Sequence, residues 1–342
     1  MTLPGRFKRI ETLHESGIGF ERRLSADEPG MKSFLPELSN RYKYCRDRTQ
    51  GYLGFVRFAA SLERARLTAH QRVLPAAFLL GGMKCASTSL STYLTMHPGC
   101  VGPILKETQY LSSIPGFFGD MANKGPFAKW MWHGWKFTVN GYKRFFPRAA
   151  QLQQASENLG RDILVVDTDP FNLYCGTAAR RVKELVPNAS FIVCLRDPVE
   201  RAYSDYAMNR LFDGRLKEKR TFEQAVDDEL SGNSKFIMHR YLFWSTYEPP
   251  LREWMTLFDR YRFLIVDFDD VCHSLPRVVQ EMYHFLGLAP FRPRRFPLEN
   301  RGRYESEISE KTVGRLREFF APHDERLCEL TGRTFGWMKS RA

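Results

Sequence analysis

A chain of 342 residues, 43% hydrophobic and 26% charged, holds core material for one large α/β domain with additions or for two small domains, in proportions ordinary for a soluble globular protein. Its formal net charge of +12 suits a polyanion such as nucleic acid, anionic membrane or acidic polysaccharide, and equally a merely solvated basic surface. No nucleic-acid module with interleaved aromatics stands out. Seven scattered cysteines with no C-x-x-C pair point to neither zinc nor a disulfide framework, and no uncharged apolar run approaches the roughly 20 residues of a membrane span.

In chain order, Met1 to Leu74 carries 14 Lys and Arg against 8 Asp and Glu and reads as a basic, helical N-terminal extension (residues 1–74) to a domain over 75–342. Phe55, Phe58, Ala59 and Leu62, at spacings of three and four, predict an amphipathic helix from Tyr52 to Leu67. Arg6, Lys8 and Arg9 stand where a signal peptide would begin, with no apolar core after them. The chain is therefore expected to be cytoplasmic, although a lumenal enzyme without its anchor would read alike.

The first informative stretch runs from Ala76 to Leu94. The apolar run Ala76 to Leu80 is too short for a helix and fits a buried strand; Gly81 and Gly82 break it, and Leu90, Tyr93 and Leu94 resume at helical spacing. The loop between, Gly82, Met83, Lys84, Cys85, Ala86, Ser87, Thr88 and Ser89, brings backbone N–H groups, an ammonium and hydroxyls to a helix N-terminus, which is what a phosphate or sulfate needs. Against the phosphate loop G-x-x-x-x-G-K-[ST], Gly81 matches the first glycine and Thr88 the hydroxyl, but Ala86 and Ser87 stand where glycine and lysine belong. The lysine lies three places upstream, at Lys84.

Pro98 and Gly99 end the helix near His97. The pair Lys106-Glu107 then precedes Tyr110, and taken alone reads as a solvated edge. Gly116 to Ala150 is dense in aromatics, fit for a sugar-binding groove or for core. A second strand, Ile163 to Asp167, should present Asp167 at its carboxyl end, toward the crevice that holds ligands in open α/β sheets. A helix over Gly176 to Val186 leads to a third strand, Phe191 to Leu195. Arg196 sits at its end, Asp197-Pro198 starts a helix, and Ser204 follows two turns on.

A fourth strand, Phe263 to Phe268, precedes a helix from Pro276 to Leu286 closed by Gly287. Asp267, Asp269 and Asp270 near its end are polar caps or, less expectedly, a metal-binding cluster. Arg301, Gly302 and Arg303 combine cations with a permissive backbone, as a phosphate clamp or a plain basic turn would. A last helix and tail, through Phe319, Phe320, Leu327 and Leu330 to Phe335 and Trp337, should pack back on the domain. Four buried strands alternating with helices predict a parallel α/β sheet with ligands at its C-terminal edge.

Several of these strings resemble those of sulfotransferases that use 3′-phosphoadenosine-5′-phosphosulfate (PAPS). G-x-x-K-x-x-S-T-S-L, from Gly81 to Leu90, resembles their 5′-phosphosulfate loop, in which the lysine stands at this earlier position; L-R-D-P-x-x-R-A-x-S-x-Y, from Leu195 to Tyr206, resembles their 3′-phosphate motif. Lys106-Glu107 and Arg301-Gly302-Arg303 resemble the K-E pair and the late basic loop of carbohydrate-type, glycosaminoglycan-like members. The resemblance covers roughly Pro75 to Trp337.

It implies a P-loop-like three-layer fold with a central, mostly parallel sheet flanked by helices. PAPS would lie on Gly82 to Ser89, Arg196, Ser204 and Arg301 to Arg303. Sulfuryl transfer would be an in-line displacement onto a hydroxyl or amine of a sugar-containing acceptor, with Glu107 as general base, Lys84 offsetting charge on the leaving group and no metal. Lys106 and Asp167 would be acceptor contacts, and no nucleic acid would be bound. The chain departs from the family string G-E-K-[ST]-P by placing Thr168 where lysine is usual, which puts a cationic contact there in doubt. Two other readings remain at this level. A P-loop small-molecule kinase is disfavoured by Ser87 and by the Arg196/Ser204 pair, and a non-catalytic polyanion-binding protein would explain the charge alone.

Overall fold

The computed structural model describes residues 52–108, 110–112, 138–212, 217–297 and 308–339. Its sheet has five strands, β1 Ala77–Gly81, β2 Cys100–Val101, β3 Leu164–Thr168, β4 Ser190–Leu195 and β5 Phe263–Asp267, all parallel and ordered β2-β3-β1-β4-β5. Four are the apolar runs expected from the sequence, displaced by at most one residue at either end. β2 was not expected: two residues directly after Pro98-Gly99 carry no periodicity, and they become a strand only by pairing with Leu164 and Val165.

The α-helices of the described residues, in chain order, are α1 Tyr52–Leu67, α2 Ser87–Met96, α3 Val139–Lys143, α4 Ala149–Leu159, α5 Gly176–Leu185, α6 Pro198–Arg210, α7 Phe222–Leu230, α8 Glu248–Leu257, α9 Phe268–His273, α10 Leu275–Phe285, α11 Glu310–Thr331 and α12 Gly336–Lys339. Among the described residues, none is long and apolar enough to cross a membrane.

A parallel sheet is covered on both faces, so its strands read as unbroken apolar runs. On one face Ala77 and Leu79 pack with Leu90, Tyr93 and Leu94 of α2 and with Val278, Val279 and Met282 of α10. On the other, the Phe191 ring lies 5.8 Å from Phe78, 4.8 Å from Phe263, 4.6 Å from Phe258 and 5.2 Å from Trp254 of α8. From β1 the chain first builds outward to β2 and β3, then crosses to β4 and β5 on the opposite side. The strand order thus reverses beside β1, and the loops after β1, β3 and β4 leave from one edge, where such sheets bind ligands.

Local signals behave as their chemistry dictates. Asp197 caps α6 by accepting the Val199 N–H at 2.9 Å, with Pro198 in the first turn. The acidic group after β5 is spent on caps and ion pairs: Asp267 accepts from the N–H groups of Asp269 and Gly336 at 3.0 and 2.8 Å, while Asp270 pairs with Arg333 at 2.6 Å and Arg277 at 2.9 Å. Helix α1 forms over the expected bounds. Its Leu62 and Ala65 are buried, and Glu63 lies 3.6 Å from the fully buried guanidinium of Arg144 beyond α3. Of the aromatic-rich stretch, residues 116–137 lie outside the described residues; Tyr142, Phe145 and Phe146 are buried core side chains.

Candidate active site

The loop after β1 is shaped by close approach. Gly81 has φ +129°, and a Cβ there would stand 2.5 Å from the Cys194 carbonyl oxygen of β4; at Gly82 a Cβ would stand 2.8 Å from the Cys85 sulfur and 3.1 Å from the Tyr247 ring. Two and four residues further on, Lys84 and Ala86 take left-handed backbone, with φ of +67° and +59°. For non-glycine residues that conformation is strained, by about 1–3 kcal/mol each, and left-handed residues in a tight turn aim backbone N–H groups into one concavity that suits an anion. Ala86 is the N-cap of α2 and has no side-chain acceptor for the first-turn amides, an arrangement open to an external anion. Met83 and Cys85 bury their side chains beneath the loop, and burial pushes the Cys85 thiol up, which keeps it neutral.

Lys106 joins the two halves of the site. Its ammonium donates to the hydroxyls of Ser87 at 3.2 Å and Thr88 at 2.9 Å, and to the Glu107 carboxylate at 2.9 Å. Three bonds use all three ammonium protons. A phosphate loop of the general pattern carries its lysine at position 87; here a positive charge reaches the hydroxyl of that residue from position 106. The Lys106 side chain is 8% exposed and that of Glu107 37%, so the carboxylate opens to solvent while the ammonium does not. Glu107 also has left-handed backbone, at φ +59°. Among the described residues, the non-glycine residues with positive φ are Lys84, Ala86 and Glu107, all within these two segments.

Arg196 leaves β4 toward the same loop. Its guanidinium donates to the Lys84 carbonyl at 3.5 Å and to Glu200 at 3.1 and 3.3 Å, and it lies 4.6 Å above the Phe268 ring. Ser204 is buried on α6. One neighbour of the site was not anticipated. Arg201, the second arginine of the 195–206 string, is fully buried and donates to Asp205 at 2.9 Å, Ser245 at 2.6 Å and the carbonyls of Tyr241 at 3.2 Å and Met83 at 3.5 Å, propping the loop from below. The signal was the arginine itself, inside a string otherwise read for Arg196 and Ser204.

Asp167 does not face the crevice, contrary to expectation. It is fully buried, its oxygens accepting from the Tyr142 hydroxyl at 2.6 Å and the Thr168 N–H at 2.8 Å. Burial raises its carboxyl from 3.8 to about 6, against the two hydrogen bonds. The folded chain therefore holds this proton where an unfolded chain would release it, a contribution to stability that is complete below about pH 4 and fades as pH rises through about 6. Asp167→Asn is expected to flatten thermal stability against pH between about 4 and 7; an unchanged slope would show the carboxyl charged throughout. His97 is a structural histidine: its Nδ1 accepts the Gly99 N–H at 2.9 Å, so Nε2 donates to the Ala289 carbonyl at 2.8 Å. Arg301, Gly302 and Arg303 lie outside the described residues.

The family described as "Sulfotransferase domain" matches residues 178–298, which include Arg196 and Ser204. Human heparan sulfate glucosamine 3-O-sulfotransferase 5 is 22% identical over 301 residues, covering 81% of this chain and 78% of that protein. Over most of its length the chain is similar to sulfotransferases. Human carbohydrate sulfotransferase 15 is 23% identical over 322 residues, covering 78% of this chain and 55% of its own length. The fold agrees with that of a sulfotransferase from Alicyclobacillus acidocaldarius, with a TM-score of 0.58 and 23% identity over 78% of this chain and 99% of that one. These matches support an enzyme of the sulfotransferase class, and the P-loop-like sheet carries the loop after β1 at the strand-order reversal.

Proposed function

We propose that the chain is a sulfotransferase that takes PAPS as its donor and sulfates a hydroxyl or amine of a sugar-containing acceptor, with Glu107 as general base. The observation that carries the reading is the Lys106 bridge, which fastens the Glu107 segment to the hydroxyls of the anion loop and so brings a solvent-facing carboxylate to the place where an anion would sit. The residues fit such a donor: the loop from Gly82 to Ser89 offers amides, hydroxyls and the Lys84 ammonium, and Arg196 offers a planar fork beside it. Bound there, PAPS supplies an activated sulfuryl group and a bisphosphate leaving group.

The chain's own residues supply the rest. Glu107 takes the proton of the acceptor hydroxyl or amine. Lys84 and Lys106 offset negative charge that grows on the loop side, as a metal ion does at other phosphate sites. Arg196 and Ser204 grip the 3′-phosphate, with Arg301 and Arg303 added from the late basic loop. Support for a sugar acceptor comes from the relatives named for heparan sulfate glucosamine and carbohydrate, and from the +12 charge, which suits an acidic polysaccharide.

Calorimetry of adenosine-3′,5′-bisphosphate against ATP with Mg²⁺, and turnover of labelled PAPS over a panel of sugar acceptors, test this reading. The bisphosphate is expected to bind the more tightly, and Lys84→Ala to lower turnover about 10²–10³-fold. Preference for ATP would make the chain a kinase, the absence of nucleotide binding would leave a polyanion-binding protein, and near-normal turnover of Lys84→Ala would remove that lysine from the chemistry.

A further inference from the structure

The residue at the end of β3 has an unusual set of partners. Thr168 is fully buried, and its three polar groups each bond to a different part of the site. Its N–H donates to Asp167 at 2.8 Å, and Asp167 is in turn held by the Tyr142 hydroxyl of α3 at 2.6 Å. Its hydroxyl meets that of Ser91, on the helix that begins at the anion loop, at 3.1 Å. Its carbonyl accepts the N–H of Glu107 at 2.9 Å.

We propose that Thr168 is the positioning residue for Glu107, locking the general base to the phosphate-loop helix through its carbonyl on one side and its hydroxyl on the other. The inference rests on the reading of Glu107 as base, and adds how the fold holds it. Glu107 needs such a hold. Its left-handed backbone is strained, and that conformation persists only where surrounding bonds over-determine it. The segment is pinned on either side as well: before Glu107 the Ile104 N–H donates to the Phe145 carbonyl at 2.9 Å, and after it the Tyr110 ring stacks on Tyr142 at 4.6 Å and 9°. Tyr142 thus serves twice, under Tyr110 and on Asp167, so that base segment, strand end and α3 form one corner. Thr168 ties the strand end of that corner to α2 by a short side-chain bond to Ser91, whereas Lys106 reaches the same helix on a long, flexible stem. Releasing the threonine lets the base drift relative to the loop, and drifts of about 1 Å suffice to cost up to about 100-fold in rate.

The carbonyl cannot be mutated, but the hydroxyl can, and Thr168→Val keeps the branched shape while Thr168→Ser keeps the bond. With PAPS and an acceptor, Thr168→Val is expected to lower kcat about tenfold with KM for PAPS and bisphosphate affinity unchanged, and Thr168→Ser to restore it. In the Glu107→Gln background, Thr168→Val should lower residual turnover no further, because the group it positions is already gone. Equal losses in both backgrounds, or a valine variant as fast as the parent, overturn the proposal while leaving the base intact. Full turnover in Glu107→Gln alone overturns the base reading, and the positioning role falls with it. A melting temperature of Thr168→Val equal to that of the parent separates loosened positioning from general unfolding.

Discussion

Glu107→Gln is expected to lower acceptor-dependent turnover about 10²–10⁴-fold while the affinity for adenosine-3′,5′-bisphosphate stays that of the parent. Glutamine keeps the size of the side chain and a carbonyl oxygen that can still accept from Lys106, so the loop and its cations stay in place. What disappears is a group able to take a proton. Rate and affinity therefore separate, which a variant that merely disordered the loop would not achieve, since it would lose both. Turnover close to that of the parent would move the base elsewhere. Neither His97 nor Asp167 is placed to act instead, because the first has both ring nitrogens bonded to backbone and the second is enclosed with Tyr142 and Thr168.

Arg201→Ala should cost about 3–5 kcal/mol of stability, read as a fall in the urea midpoint at unchanged slope. The pair Arg201 and Asp205 has no solvent exposure on either side chain, so removing the guanidinium leaves a carboxylate buried without its counter-charge. The Ser245 hydroxyl and the Met83 and Tyr241 carbonyls lose the same donor. Replacing the pair together, as Arg201→Met with Asp205→Leu, should recover much of the loss because no lone charge remains. A single-variant loss below about 1 kcal/mol would mean that water reaches Asp205 and solvates it. The activity of Arg201→Ala should fall as well, since Met83 is the loop residue directly before Lys84.

The strands were legible because a strand covered on both faces needs an unbroken apolar run, and four such runs stand between helical segments. The anion loop was legible for a similar reason: its glycines, lysine and hydroxyls are contiguous, and each type has a local purpose. The orientation of Asp167 was not. Neighbouring residues on a strand point to opposite faces, so one of Asp167 and Thr168 turns toward α2 and the other away, and no pattern in two equally covered faces says which. Here Thr168 reaches Ser91 on α2, and Asp167 turns to Tyr142. The Lys106 bridge was hidden for another reason: its partners lie 18 and 19 residues upstream, and the return path runs through β2, too short to be announced. The dipeptide could be singled out, but its lysine was assigned to the acceptor, whereas its ammonium rests on the loop.

The three left-handed residues set how freely this site can change by mutation. Glycine would relieve the backbone at each of them, since only glycine enters that region without strain. At position 86 the exchange removes a single methyl group, so the alanine there is open to drift toward glycine. At Lys84 and Glu107 the same relief deletes the ammonium or the carboxylate. With the roles proposed for Lys84 and Glu107, selection for stability and selection for chemistry therefore pull in opposite directions at those two positions, while at position 86 no side-chain chemistry opposes the relief.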